Sequence, residues 1–231
     1  MERNTGRCKM EDVRWKMEEV RDKVKEIKQS FRLMMDGAVA KSMRDKGVDY
    51  KLNWGATLPR LQEKAEELKA GFKIQDAGFS QYDLAIALWK EPVRECKILA
   101  TMLMPAEEIL PEVVDIWMEE MPTQEIAEQA AFNLFQHLPY APDKAYQWIA
   151  SEKEYEQLCG FHVLTRLFMN GQEPNERGIN EYIDQLLAAL QGPYPAVRKA
   201  AFQSAQRFAE LGLVYERMTK SALKSANLDF F

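Results

Sequence analysis

The sequence predicts an all-α fold in which antiparallel helix pairs stack into a right-handed superhelix. A proline followed by a valine–arginine step begins an amphipathic helix twice, at residues 91–100 and 194–201. Proline suits the first helical turn because it has no N–H group to leave unpaired. Apolar residues recur at helical spacing through the rest of the chain, with hardly any strand-like alternation. In such an array each pair buries its apolar face against the next, and the concave side becomes a long binding surface.

The helices can be placed in order from apolar stripes and breakers. One stripe runs through Val13, Met17, Val20, Val24, Ile27, Phe31 and Met34 and predicts a helix at 11–35. A short helix at 38–44 follows, and Thr57 as N-cap with Pro59 in the first turn begins a helix to residue 68. Prolines and glycines separate the remaining helices, which are predicted at 81–89, 92–102, 106–119, 123–137, 143–150, 153–169, 178–190, 194–211 and 214–225. No linker is long enough to demand two domains, so 1–231 is predicted as one domain.

Composition predicts a cytoplasmic monomer without a membrane segment. The 231 residues carry a net charge of -5, and no apolar run approaches the roughly 20 residues that span a bilayer. Three distant cysteines favour reduced thiols, with Cys96 and Cys159 in the core. Two histidines and no CxxC pair make a metal site improbable, and the methionines of the helical stripes require no cofactor. The net charge argues only weakly against nucleic acid, because a superhelix can separate its charges.

The order of several segments resembles one family, the AlkD-type DNA alkylation-repair glycosylases, which are HEAT-like and all-helical. The resemblance covers roughly residues 38–222. The segments that carry it are Tyr50–Leu61, Leu88-Trp89 with Arg94-Glu95 and Ile98-Leu99-Ala100, Val114–Met121, and Val197–Ala200.

The resemblance implies a basic cleft that holds double-stranded DNA around an N-alkylated purine. In the family, an aspartate, two tryptophans and an arginine promote loss of the cationic base. A carboxylate can stabilise the sugar cation that develops, and aromatic faces can contact the positive charge.

This sequence departs from the family at those positions. The aspartate corresponds to Glu128, which keeps the carboxylate one methylene longer, and the first tryptophan corresponds to Gln124. Gln157 lies at the arginine position, and Gln203 lies where the second tryptophan is expected. The substitutions predict that any glycosylase activity is weakened or lost.

The phosphate contacts are predicted to come from basic side chains on one face of the array, because Lys and Arg bind DNA through charge and counterion release. Tyr155 could offer an aromatic face to DNA. By contrast, Trp54, Trp89, Trp117 and Trp148 are predicted core residues, and His162 is predicted to be a hydrogen-bonded structural histidine. The predicted phosphate contacts are Arg94, Lys97, Arg166, Arg198, Lys199 and Arg207.

The sequence is consistent with two functions. The first is a DNA-binding repair protein in which Glu128 is the candidate catalytic carboxylate, acting on N-alkylated purines. The second is a non-catalytic scaffold that binds a protein partner. Charge along the groove discriminates them, because a basic groove favours DNA and an apolar or acidic one favours a protein.

Overall fold

The regular elements of the described chain are helical. The computed structural model describes residues 5–46, 48, 50–74 and 78–228, with side chains of the first helix described from residue 14 onward. Within those ranges the only extended pairing is an isolated parallel bridge between Leu52 and Val93. The α-helices are α1 (Thr5–Leu33), α2 (Gly37–Asp45), α3 (Leu58–Ile74), α4 (Gln81–Trp89), α5 (Arg94–Leu103), α6 (Pro111–Glu119), α7 (Gln124–Asn133), α8 (Ala141–Ile149), α9 (Glu154–Met169), α10 (Glu176–Gln191), α11 (Pro195–Ala209) and α12 (Leu213–Ser225).

The chain divides into two compact units, Met1–Leu110 and Pro111–Phe231. One continuous domain over residues 1–231 therefore stays a prediction. In the described part of the chain, no helix is long and apolar enough to cross a membrane.

The first unit packs α1 on α4, α4 on α5, and α3 on α5. The predicted stripe of α1 is buried from Val20 to Phe31, where Val20, Val24, Ile27 and Phe31 are all buried, whereas Met17 on the same stripe is 60% exposed. Helix α4 begins with a capping box, in which the Ser80 hydroxyl accepts from the Asp83 N–H and the Asp83 carboxylate accepts from the Ser80 N–H. These contacts give the unit an apolar core centred on α5.

A buried ion pair fixes the loop that precedes α3. The Glu95 carboxylate accepts hydrogen bonds from the backbone N–H groups of Trp54, at 3.1 Å, and Ala56, at 3.2 Å. Arg94 donates to the Ala56 carbonyl at 2.8 Å and lies 3.5 Å from Glu95. Both side chains are almost fully buried, so each charge depends on these partners. The arginine–glutamate step therefore holds a loop in place.

The second unit is built around α9, which packs against α7, α8 and α11. Gly160 permits the close crossing of α8, because a Cβ atom there would lie 2.7 Å from Ile149 Cγ2 and 2.9 Å from the Ala145 carbonyl oxygen. An aromatic cluster joins α9 to the later helices, because the ring centroid of Phe168 lies 5.2 Å from that of Tyr182 and 5.3 Å from that of Phe208. These contacts fix how α7, α9 and α11 lie relative to one another.

Several helix ends differ from the prediction. Helix α5 begins at Arg94 rather than at Pro92, because Val93 is extended and forms the bridge to Leu52. The predicted helix 123–137 stops at Asn133, and Phe135–His137 forms a short 3-10 helix. The apolar pattern runs across this break because Leu134 and Phe135 are both buried. Pro195, in contrast, lies in the first turn of α11 as predicted.

The predicted core residues are confirmed. Trp54, Trp89, Trp117 and Trp148 are all buried. Cys96 and Cys159 are buried free thiols, and burial raises the pKa of the Cys96 thiol to about 12. Thiols with raised pKa values are poor nucleophiles, so these two cysteines are packing residues. The side chain of Cys8 lies outside the described part of the chain.

Candidate functional site

A cleft of about 480 Å³ in the second unit brings together four residues that the sequence predicts for the site. These are Glu128, Arg166, Gln203 and Arg207. Helices α7, α9 and α11 each contribute one face to the cleft. The lining residues are Glu128, Gln129, Ala131, Phe132, His162, Thr165, Arg166, Met169, Gln203, Gln206 and Arg207.

The lining residues follow from helix geometry. Residues three and four apart lie on the same side of a helix. The cleft accordingly receives Glu128 and Phe132 from α7, His162 and Arg166 from α9, and the same spacing again from α11. One open face of three packed helices therefore collects charged, amide and aromatic side chains in a small volume.

Glu128 is the carboxylate of the cleft and is half-buried. Its Oε1 accepts a hydrogen bond of 2.8 Å from the Gln124 side chain, one turn earlier on α7. The two predicted positions thus lie together, although Gln124 itself is exposed and does not line the cleft. The amide holds the carboxylate in place without neutralising its charge.

His162 is an addition to the site that the sequence did not predict. Its Nε2 atom is buried and has no hydrogen-bond partner within the described chain, contrary to the predicted hydrogen-bonded role. Burial lowers the pKa of His162, and the positive charges of Arg166 and Lys199 lower it further against the opposing effect of Glu128. The imidazole is therefore neutral at pH 7, with one ring nitrogen unused by the protein.

Phe132 and Arg166 form a cation–π pair at the cleft. The guanidinium carbon of Arg166 lies 3.7 Å from the ring centroid of Phe132, whose side chain is 50% exposed. The sequence did not predict a role for Phe132. Its spacing of four from Glu128 is the pattern that could have identified it.

The three predicted phosphate-contact residues on α11 differ in their positions relative to the cleft. Arg207 lines the cleft and also pairs with Glu210 at 2.6 Å in a largely exposed bridge. Lys199 is exposed and lies one helical turn before Gln203, on the side of α11 that faces the cleft. Arg198 donates to the Gly192 carbonyl at 2.7 Å, so it closes the turn between α10 and α11.

Two further predicted residues lie near the start of α9 and do not line the cleft. Gln157 donates to the Ser151 carbonyl at 2.7 Å. Tyr155 is partly buried, and burial raises the pKa of its phenol, with a hydrogen bond to the backbone of Gln124 acting in the opposite direction. Both side chains therefore stabilise the region where α7 and α9 begin.

Arg94 belongs to the core of the first unit, and Lys97 is partly buried on the same helix. Arg94 is 1% exposed and holds the loop before α3, so phosphate cannot reach it and its predicted contact is not retained. The Lys97 Nζ donates to the Trp89 carbonyl at 2.7 Å and lies 4.4 Å from the Trp89 ring centroid. In sequence these residues resemble surface cations, because their neighbours on α5 do not reveal how deeply the helix is buried.

No group of three or more His, Cys, Asp and Glu side chains in the described ranges could hold a metal ion. The cleft is lined by side chains of several chemical types. They are one carboxylate, one neutral imidazole, two arginines, several amides and one half-exposed aromatic ring.

Comparisons with known proteins agree with the fold and with the resemblance. Residues 27–210 match the protein family described as DNA alkylation repair enzyme. One similar solved structure represents a family described as related to the HEAT-like repeat DNA glycosylases with affinity for branched DNA structures. It has a TM-score of 0.72 and 15% identity, and the match covers 87% of this chain and 82% of that chain. A search of the curated proteins gave no match. The predicted all-α, HEAT-like fold is confirmed.

Proposed function

Because the chain belongs to the DNA alkylation repair enzyme family, we propose that it binds double-stranded DNA at the cleft between α7, α9 and α11. The observation that carries this proposal is the convergence of Glu128 with Arg166 and Arg207 in one cleft. The two arginines and the neighbouring Lys199 face the phosphate backbone in this proposal. A net charge of -5 does not oppose it, because DNA responds to the local charge at the cleft.

The cleft also supports slow release of a cationic, N-alkylated purine, with Glu128 as the catalytic group. In that step the bond between C1′ of the sugar and the purine nitrogen breaks, and its electron pair neutralises the positive charge of the base. Water then adds to C1′ and loses a proton, which leaves an abasic sugar. A carboxylate close to C1′ stabilises the positive charge that develops on the sugar.

We propose that this activity is weak because the aromatic walls are missing. Gln124 and Gln203 lie at the positions where the resemblance places tryptophans. Gln124 binds Glu128 directly, and Gln203 places an amide at the cleft. An amide has no aromatic face, so neither glutamine can make the cation–π contact that a tryptophan makes with a cationic base. We therefore expect the protein to bind DNA and to release the alkylated base slowly.

The test is DNA binding by fluorescence anisotropy across a salt series, with matched duplexes that contain or lack an N-alkylated purine. Three phosphate contacts predict that the logarithm of the binding constant falls with the logarithm of salt concentration with a slope of about -3. Base release is followed by chromatography on the same samples, with heated alkylated duplex as the positive control and unmodified duplex as the blank.

The outcomes separate the two parts of the proposal. Salt-dependent binding with slow release supports both parts, and binding without release limits the function to DNA recognition. Absence of binding at low salt contradicts the proposal, and the alternative of a protein-binding scaffold then becomes the better account.

A further inference from the structure

Phe132 presents an aromatic ring to the cleft at the end of α7. The side chain is 50% exposed, although burial of a phenylalanine would normally stabilise a fold. Single exposed apolar residues are common and need no explanation on their own. This ring, however, lines a cleft of about 480 Å³ and has the guanidinium of Arg166 stacked on it at 3.7 Å.

Arg166 contacts an aromatic ring and a thioether sulfur. Its guanidinium contacts the Phe132 ring, and its Nη1 lies 3.8 Å from the Met169 sulfur. Among the described residues, no carboxylate lies within ion-pair distance of Arg166. The contact with the ring and the hydrogen bond from Nη1 to the Met169 sulfur leave the positive charge and the other hydrogen-bond donors of Arg166 for a ligand.

Guanidinium planes and aromatic rings are surfaces on which unstacked nucleobases stack. The cleft volume falls in the range of about 300–1,000 Å³ that is typical of pockets for small organic molecules. Gln129 and Gln203 bring side-chain amides to the same cleft, and each amide can both donate and accept hydrogen bonds at the edge of a base. The cleft therefore combines a surface for base stacking, enough volume for a base, and amides that can form hydrogen bonds with the edge of the base.

We propose that Phe132 and Arg166 form a stacking platform for a nucleobase that has left the duplex stack. The platform gives the chain a preference for DNA with an unpaired base over fully paired DNA. This inference rests on the proposed function, since it assigns a substrate preference to the same cleft.

The test compares a fully paired duplex with the same duplex carrying one extra, unpaired adenine. Dissociation constants are measured by anisotropy at one fixed salt concentration. The wild-type protein is expected to bind the bulged duplex about tenfold more tightly, in line with stacking of one base. Phe132→Leu keeps the apolar volume and removes the ring, so the ratio of the two dissociation constants should fall close to one.

Two further variants distinguish stacking from charge and from general effects of substitution. Phe132→Tyr keeps a ring and should keep the wild-type ratio. Arg166→Lys keeps the charge and loses the plane, so it should lower the ratio while leaving the salt slope unchanged. Ile116→Ala removes another half-exposed apolar side chain, on α6 and outside the cleft lining, and should leave the ratio unchanged.

Equal binding of both duplexes by the wild-type protein, together with a normal salt slope, overturns the platform and leaves the proposed function standing. A Phe132→Leu protein that retains the wild-type ratio also overturns it. Absence of binding to either duplex overturns the proposed function and the platform with it.

Discussion

At the scale of single residues, Glu128 is held by a hydrogen bond and shares its cleft with a positively charged side chain. Gln124 holds the carboxylate from one helical turn away, while Arg166 lines the same cleft. His162 lines the same cleft, and the negative charge of Glu128 opposes the lowering of the His162 pKa. A carboxylate in such a position is suited to stabilise a positive charge on a bound sugar.

The substitution Glu128→Gln tests that role. It should lower any base release by roughly 100-fold or more, since removal of one positioned electrostatic group commonly has an effect of that size. Affinity for unmodified duplex should stay the same or rise, because a negative charge near the phosphates is lost. Release is measured by chromatography, affinity by anisotropy, and folding by circular dichroism. Release at the wild-type rate would remove Glu128 from the mechanism.

His162 gives a prediction about pH. Its pKa is lowered in the folded protein, from a reference value of 6.5, so the unfolded chain binds more protons below that pH. The contribution of neutral His162 to stability is therefore complete above about pH 6.5 and is lost as the pH falls. The His162→Gln protein should lose stability less steeply than the wild type between pH 6.5 and pH 5, in urea unfolding followed by circular dichroism. Parallel curves for the two proteins would contradict this assignment.

The sequence predicted part of the site correctly, but residue type does not show how deeply a side chain is buried. The sequence identified Glu128, Arg166, Gln203 and Arg207, and the structure brings these four side chains into one cleft. The sequence also predicted a phosphate contact for Arg94, as it did for Arg166 and Arg207. Residue type alone does not distinguish an arginine on the surface from an arginine in a buried ion pair. Only the packing around α5 distinguishes the two cases.

At the scale of helices, the close crossing of α8 and α9 depends on a glycine. A Cβ atom at Gly160 would lie 2.7 Å from Ile149 Cγ2 and 2.9 Å from the Ala145 carbonyl oxygen. Since the second clash involves backbone, rotation of a side chain cannot remove it. Helix α9 also carries His162 and Arg166, so this crossing supports the frame of the cleft.

Gly160→Ala should lower the free energy of unfolding by about 1–3 kcal/mol, because the two helices must separate. Gly71→Ala is the matched control. Gly71 lies in α3, and a Cβ atom there would meet no atom of the described residues within 4 Å. The control substitution should stabilise the protein by up to about 1 kcal/mol through helix propensity. Urea unfolding followed by circular dichroism compares the two, and equal changes would contradict the role given to Gly160.

Helix type and order were predictable from the sequence, whereas several ends were not. The stripe of α1 predicts the buried face between Val20 and Phe31, because spacing decides which residues share a side, but it does not show that Met17 lies beyond the packed part of the helix. The start of α5 was misplaced because the extended state of Val93 depends on its bridge to Leu52, distant in sequence. Such long-range pairing leaves no local signal.

At the scale of the whole molecule, the chain combines a family fold with an altered site. The family match covers residues 27–210, and the HEAT-like fold extends over most of the chain. In our proposal the fold supplies a DNA-binding surface, and the cleft of the second unit determines what happens to the bound DNA. The central claim is therefore the location of the DNA contact.

The most direct test of that claim is the salt dependence of DNA binding by two matched double variants. Arg166→Ala with Arg207→Ala removes the two cations that line the cleft, and the slope of the logarithm of affinity against the logarithm of salt should become shallower by about two. Arg177→Ala with Lys224→Ala removes two exposed cations of the same unit that do not line the cleft, and its slope should match that of the wild type. Equal slopes for both variants, or a larger change in the second, would contradict DNA binding at this cleft.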